Sequence, residues 1–153
     1  MVLSIASCVT VSPNLKQNED IGLDEGILIV RFHAVRASGV LAIHQGAVSL
    51  PYAGFAISPN EKLKAIKIKS GNGLRISTYK VGKLIAHFDD KTLNFNIKPR
   101  TITYIGDIYV NEQPGSVGLR IVDNESETKE DIKRLYPQLF EKFSYEKFIP
   151  TTK

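Results

Sequence analysis

Apolar residues recur at every second position along much of this chain, which is the spacing of a half-buried β-strand. In the clearest case Leu93, Phe95 and Ile97 alternate with polar residues, and we expect all three to face the core. Residues 27–35 begin with consecutive apolar positions, which indicates a strand buried on both faces near the middle of a sheet. Shorter strands, separated by Gly, Pro, Asn and Asp signals, are predicted at residues 40–43, 47–50, 54–57, 63–69, 74–80, 84–88, 101–110 and 117–122.

Two of these strands are predicted to form a hairpin. Ser70-Gly71-Asn72-Gly73 separates residues 63–69 from residues 74–80, and Asn-Gly supplies the positive φ angles of a tight hairpin turn. In the later strand 101–110, four apolar residues are expected on one side, and Gly106 is expected to permit a bulge or a close backbone approach. Asp107 is expected to hold a neighbouring turn. The four apolar residues are Ile102, Tyr104, Ile108 and Val110.

The C-terminal part changes to helical spacing. Residues 124–127 offer a capping asparagine and acidic first-turn side chains. A helix is therefore predicted at about residues 126–143, and Pro137 is expected to break it because a proline inside a helix clashes with the preceding turn. The apolar side chains should pack on the sheet, the alternative being a face for a partner; they are Ile132, Leu135, Tyr136, Leu139, Phe140 and Phe143.

The pattern as a whole predicts an all-β fold. Short strands at this spacing indicate an antiparallel sandwich, immunoglobulin-like or transthyretin-like, with a short C-terminal helix. The 153 residues suit one domain, which we place at residues 27–153. Residues 1–26 are predicted to be an N-terminal lead-in or tether. Residues 37–60 carry no charged side chain, but their glycines and Pro51 indicate short strands and turns instead of a membrane span.

Charge is concentrated in the middle of the chain. Residues 61–100 hold ten basic and three acidic side chains, whereas the parts before and after them have a small negative net charge. One interpretation is that the lysines guard solvent-facing strands and edges. The other is a patch for an anionic surface. Nucleic acid is not an expected partner, because the sequence shows no recognition helix, zinc spacing or aromatic ribonucleoprotein motif.

The single cysteine, Cys8, follows the apolar and small residues Ile5-Ala6-Ser7. This tetrapeptide resembles the lipobox of bacterial lipoproteins, in which the cysteine receives lipid and becomes the mature N-terminus. A signal peptide has a basic region and an apolar region of about 7–15 residues, and the stretch Met1 to Ser7 contains no basic residue. Lipid attachment at Cys8 is our prediction, and a small buried thiol in a first strand is the alternative.

Known catalytic patterns do not occur. The sequence has no Gly-x-Ser-x-Gly elbow, and Gly71-Asn72-Gly73 lacks the Lys-Ser/Thr ending of a phosphate-binding loop. Asp89 and Asp90 are adjacent, so a turn explains them better than an acid–base pair. We therefore predict no catalytic residue, no cofactor and no metal site, since the histidines are not spaced as zinc ligands are; they are His33, His44 and His87.

Residues 62–140 combine three further features. They are Tyr104-Ile105-Gly106-Asp107 in a long strand, the strand at 117–122, and Tyr136-Pro137 in the terminal helix. This combination resembles a group of uncharacterised bacterial cell-envelope lipoproteins, which often have Pro-Gly where this chain has Pro99-Arg100. The resemblance implies a location and a β-rich fold, and no activity.

These features predict a non-catalytic lipoprotein on the periplasmic side of the cell envelope, held to the membrane by a lipid anchor at Cys8. Its expected partner is another envelope component, such as an envelope protein. Two other functions stay open: a periplasmic inhibitor or immunity-type protein, and a carbohydrate-binding module. The last requires exposed aromatic rings, and the chain offers six tyrosines and no tryptophan.

Overall fold

The computed structural model describes residues 11–46, 51–89 and 91–151. Cys8 and the predicted strand at 47–50 lie outside these residues. Two short helices, α1 (Glu125–Leu135) and α2 (Leu139–Lys142), accompany the strands. The strands of the described residues are β1 (Glu25–His33), β2 (Gly39–Gln45), β3 (Ala53–Ile57), β4 (Leu63–Lys69), β5 (Gly71–Val81), β6 (Leu84–His87), β7 (Asn94–Ile97), β8 (Thr101–Gln113), β9 (Ser116–Val122) and β10 (Ser144–Lys147).

The strands form two five-stranded sheets. The first sheet has the order β10-β8-β1-β4, and β9 also pairs with β8. The second has the order β3-β2-β5-β6, and β7 also pairs with β5. The all-β sandwich predicted from the sequence is therefore confirmed, including its short C-terminal helices.

The main core lies between the two sheets. β1 contributes Leu28, Val30 and Phe32 from the first sheet, and they share one apolar cluster with side chains of the second sheet. The predicted core face of β7 is confirmed: Leu93, just before the strand, Phe95 and Ile97 are all buried. From the second sheet the cluster also contains Leu41, Ile43, Phe55, Ile57, Leu74, Ile76 and Tyr79.

A second core covers the outer face of the first sheet. Ile27 and Ile29 alternate with the inward residues of β1 and pack with side chains of both the helices and the N-terminal segment. β1 is thus buried on both faces, as its run of apolar residues predicts. The other buried members of this cluster are Leu15, Ile21, Ala65, Ile102, Tyr104, Ile132 and Leu139.

The first sheet is mixed, although the sequence predicts antiparallel pairing. β1 and β10 both run parallel to β8, while β4 and β9 pair with their neighbours in the antiparallel sense. Parallel neighbours need a long crossover connection, usually a helix. Here the crossover from β1 to β8 passes through the whole second sheet, so no intervening helix is required.

The predicted hairpin between residues 63–69 and 74–80 is wrong. β4 pairs with β1 in the first sheet, whereas β5 pairs with β2, β6 and β7 in the second. The chain crosses between the sheets at Ser70, whose N–H donates to the Asp24 carbonyl at 2.7 Å. Gly71 and Asn72 already belong to β5. The expected turn at residues 81–83 does join the antiparallel strands β5 and β6.

The alternation of the β8 side chains between the two faces of the sheet is interrupted at Gly106. This residue has φ of +100°, and the pairing with β1 shifts register between Tyr104 and Asp107. The predicted bulge is confirmed. The four apolar residues expected on one side are consequently split: Ile102 and Tyr104 belong to the outer core, while Ile108 and Val110 belong to the core between the sheets.

The C-terminal helices pack on the first sheet, as predicted. Pro137 lies between α1 and α2, so it ends the first helix as expected. Ile132 is fully buried, but Leu135 is 47% exposed. The prediction that Leu135 packs on the sheet with the other apolar residues of the helix is therefore wrong. Neither of the two helices in the described part of the chain is long and apolar enough to cross a membrane.

The N-terminal segment differs from the tether predicted for residues 1–26. From residue 11 onward it lies against the domain: the Ser12 N–H donates to the Gly54 carbonyl at 2.7 Å, and Leu15 and Ile21 are buried. Two isolated apolar side chains in a polar stretch do not produce a periodic pattern, and this is why the sequence did not indicate the packing.

Candidate functional site

A groove lies on the outer side of the first sheet, between the N-terminal segment and the C-terminal helices. It has a volume of about 370 Å³ and is lined by residues 15–21, Arg100, residues 136–139, Lys142 and Phe143. Its apolar lining consists mainly of Leu15, Ile21, Tyr136, Leu139 and Phe143. The first, second and fourth of these are buried members of the outer core, so the floor of the groove is continuous with the packed interior.

Hydrogen bonds fix the wall formed by the N-terminal segment. The Leu15 N–H donates to the Ala65 carbonyl of β4 at 2.7 Å. The Tyr136 hydroxyl donates to the Leu15 carbonyl, also at 2.7 Å, and burial raises the pKa of this phenol. One segment is thereby tied to the sheet and to the end of α1, so the groove has preformed sides.

Arg100 stands at the edge of the groove in an unusual backbone conformation. Its φ is +56°, in the left-handed region that favours glycine. Its Nη1 donates to the Ile21 carbonyl at 2.7 Å, and its guanidinium lies 4.6 Å from the centroid of the Phe143 ring. Strain of this kind costs about 1–3 kcal/mol and persists where the surrounding contacts hold the residue in place.

The charged side chains that line the groove have a positive net charge. Lys16, Arg100 and Lys142 line it, together with Glu19 and Asp20. Lys67, which is not part of the lining, pairs with Glu19 at 3.1 Å. The hydrogen bond from the Lys16 N–H, and then the Lys67 ammonium, hold the pKa of Glu19 below its usual value. The charge of Glu19 is thus matched outside the groove, which leaves three cations and the exposed Asp20 carboxylate.

A buried carboxylate marks the Tyr-Ile-Gly-Asp motif. Asp107 is fully buried, and its Oδ1 accepts hydrogen bonds from the Tyr104 hydroxyl at 2.9 Å and the Thr128 hydroxyl at 2.8 Å. Its Oδ2 lies 2.7 Å from His33 Nε2 and 3.3 Å from Asn124 Nδ2. Asp107 therefore links the start of α1 to β1 and β8. The expectation was a neighbouring turn, whereas the segment that Asp107 holds is the start of a helix.

A second hollow, of about 420 Å³, lies beside the β8–β9 hairpin and is lined in part by Tyr109 and Arg120. The Tyr109 ring stacks on His33 at 4.4 Å between centroids. Arg120 lies over the same ring at 4.6 Å. Because the aromatic ring already has intramolecular partners, this hollow offers less to a ligand than the groove does.

His44 and Ser77 form a contact that resembles a catalytic pair. His44 Nδ1 and Ser77 Oγ are hydrogen-bonded, and the same hydroxyl donates to the Ala42 carbonyl at 3.1 Å. A serine hydroxyl has one proton to give. The Ala42 carbonyl and the imidazole therefore compete for that proton, and the donor in the His44–Ser77 contact depends on the tautomer of the imidazole.

The basic residues of the middle segment contribute to several ion pairs. On β4, an edge strand, Lys64 pairs with Glu61 at 3.0 Å and Lys67 pairs with Glu19. Lys98 pairs with Glu146 at 2.6 Å. These positions favour the interpretation that the lysines cover an edge of the sandwich. Among the described residues, no group of three or more His, Cys, Asp or Glu side chains is placed to hold a metal ion.

The predicted lipid-attachment residue, Cys8, lies outside the described residues, as does Asp90. Asp89 accepts a hydrogen bond from the Lys91 N–H at 2.8 Å, which is typical of a turn. Comparison of the chain with protein-family models, with curated proteins and with solved structures finds no match. The resemblance to envelope lipoproteins therefore stays a prediction.

The groove was not predicted from the sequence. Its charged residues, Lys16, Arg100 and Lys142, come from three separate parts of the chain and share no motif. The one local signal near the groove was the turn predicted at Pro99-Arg100, which places Arg100 between two strands. The six tyrosines, all within the described part, are buried or half-buried, so no exposed row of rings favours the carbohydrate-binding alternative.

Proposed function

We propose that this chain is a non-catalytic binding protein of the bacterial cell envelope, anchored to the membrane by a lipid at Cys8. The protein would hold another envelope component in the groove. The observation that carries the proposal is the groove itself. It combines an apolar floor with a few charged groups and has preformed walls, which is the usual character of a ligand site. Its volume of about 370 Å³ lies within the range of such sites.

The polar groups around the groove support binding more than chemistry. The Tyr136 hydroxyl is already donated to the Leu15 carbonyl. The Arg100 guanidinium has five N–H donors and no acceptor, which suits it to holding an anionic group. In the described part of the chain, the hydrogen bonds that these two side chains donate go to backbone carbonyls and not to a base of the kind that activates a nucleophile. These contacts suit a site that recognises a ligand without transforming it.

The anchor proposal rests on Cys8 and on the first residues that the structure describes. Val11 forms a bridge with Gly54 of β3, so the chain is fixed to the second sheet three residues after the cysteine. Three residues span at most about 10 Å. A lipid on Cys8 would consequently hold the β3 edge close to the membrane surface.

Lipid attachment can be tested directly. The full-length gene is expressed in a bacterial host, and the mass of the mature N-terminus is measured beside that of a Cys8→Ser variant. We expect a lipid-modified Cys8 in the membrane fraction and an unmodified, released Cys8→Ser protein. Recovery of an unmodified chain that retains Met1 would reject the anchor.

The binding site needs a separate experiment. A photo-crosslinking amino acid is introduced at Gln138, which is exposed and lines the groove, and in a second protein at Lys133, which is exposed on α1 outside it. We expect an envelope component to crosslink from position 138, not from 133, and to be lost in Arg100→Gly. A crosslink that is equal from both positions, or an enzyme as the crosslinked partner, would contradict the proposal, and the enzyme would support the inhibitor alternative.

A further inference from the structure

We infer that the groove binds a single-chain lipid with an anionic headgroup, the headgroup meeting Arg100 and the chain lying on the apolar floor. The inference rests on the proposed function, because it names the ligand class of the same groove. It adds a specific role for Arg100 and a test that uses a defined ligand.

The anionic headgroup follows from the basic groups. A guanidinium has five N–H donors in a rigid fork that matches carboxylate and phosphate oxygens. Within the described residues, the Arg100 guanidinium donates one hydrogen bond, from Nη1 to the Ile21 carbonyl, so most of the fork stays available. Lys16 and Lys142 add two further cations against the one exposed carboxylate of Asp20, while the charge of Glu19 is matched by Lys67.

The backbone at Arg100 supports the same assignment. Glycine would occupy φ of +56° without strain, and arginine occupies it at a cost. The strained backbone directs this side chain over Phe143 and to the edge of the groove. Backbone strain of this kind clusters at ligand-binding positions, and here it places a permanent positive charge next to an apolar surface.

The apolar floor of the groove indicates that the ligand has a hydrocarbon chain. Leu15, Ile21 and Leu139 are buried but still line the groove, and the half-buried rings of Tyr136 and Phe143 extend the same surface. A ligand with only a charged group would leave this apolar lining in contact with water. A single hydrocarbon chain covers it and gains the favourable transfer from water to an apolar surface.

The test is a calorimetric titration of the full chain carrying Cys8→Ser with decanoate below its micelle-forming concentration. We expect one saturable site, with decanol binding about tenfold more weakly because it lacks the charge. Arg100→Gly should raise the dissociation constant of decanoate about tenfold or more, the usual size of a lost charge-assisted hydrogen bond. Glycine suits the backbone at this position, so the variant keeps its fold. Lys142→Ala should weaken binding by a smaller factor.

The matched control is Arg134→Ala, which removes an exposed arginine of α1 that pairs with Asp131 and does not line the groove. It should bind decanoate as the parent chain does. Absence of saturable binding, equal affinity for decanol, or unchanged binding in both Arg100→Gly and Lys142→Ala would overturn the inference. Binding to phosphatidylglycerol vesicles without any binding of decanoate would also overturn it, in favour of a membrane surface. If decanoate fails while the crosslink from position 138 persists and depends on Arg100, only the ligand class is wrong.

Discussion

Tyr104 and Asp107 are three residues apart on one strand, yet the Tyr104 hydroxyl donates to Asp107 Oδ1 at 2.9 Å. In a regular strand, side chains at positions i and i+3 point to opposite faces. The bulge at Gly106 brings the two side chains to the same side of β8. A single backbone irregularity thus creates the buried polar cluster that holds α1.

Replacing Asp107 with alanine should destabilise the domain strongly. The substitution leaves the hydroxyls of Tyr104 and Thr128 without their acceptor in a buried environment. We expect a loss of about 3–5 kcal/mol in the free energy of unfolding, measured by urea denaturation. Glu130→Ala, at an exposed position of α1, is the control and should change it by less than about 0.5 kcal/mol. A loss below about 1 kcal/mol at Asp107 would show that the cluster contributes little.

Gly106→Ala tests the bulge itself. A Cβ at this residue would clash with Ile121 Cγ2, and φ of +100° strains any other residue. We expect a loss of about 2–4 kcal/mol in urea denaturation. Gly118→Ala, on the neighbouring strand β9, is a matched control because an added Cβ there meets no atom within 4 Å. Equal effects of the two substitutions would contradict this account of the bulge.

Ile132 and Leu135 of α1 differ in exposure, so their substitution by alanine should have unequal effects on stability. Ile132→Ala removes a fully buried side chain of the outer core and should cost about 2–5 kcal/mol. Leu135→Ala alters a side chain that is 47% exposed and should cost less than about 1 kcal/mol. Both are measured by the midpoint of urea denaturation. A large loss at Leu135 would mean that this residue is covered in solution.

Stability should decrease at alkaline pH. Burial raises the pKa of Tyr79, Tyr104 and Tyr145 above the ordinary value of 10.0. Their neutral forms are favoured in the folded state, so the stability they contribute is complete below pH 10 and decreases as the pH rises above it. The urea midpoint should therefore decrease above pH 10, and these phenols should resist ionisation in ultraviolet titration of the folded protein. Ionisation of all six tyrosines near pH 10 before unfolding would contradict the prediction.

Local patterns predicted local structure well. Strict alternation placed Phe95 in the core because a strand needs only its own residues to define two faces. The same reasoning was wrong for Ile108, since one bulge upstream inverted the alternation. Residues 144–147 were not predicted as a strand, because four residues after two helices give too short a pattern.

The pairing of strands that are distant in the sequence could not be predicted from local patterns. The Asn72-Gly73 signal is typical of a hairpin, but pairing with β1 and β2 assigned the flanking strands to different sheets. The groove required the same kind of information, since Lys16, Arg100 and Lys142 become neighbours only when both ends of the chain pack on the first sheet.

The parallel pairing of β1 with β8 has a consequence for how the domain reaches its native state. Ile27 pairs with Ile102, so a central strand of the first sheet pairs with a strand that lies about half of the chain away. Closing so long a loop costs entropy before any contact compensates for it, and proteins dominated by such contacts fold on the order of milliseconds to seconds. During synthesis β10, the parallel neighbour of β8, is made after the other described strands. The first sheet can therefore be completed only after Lys147, the last residue of β10, has left the ribosome.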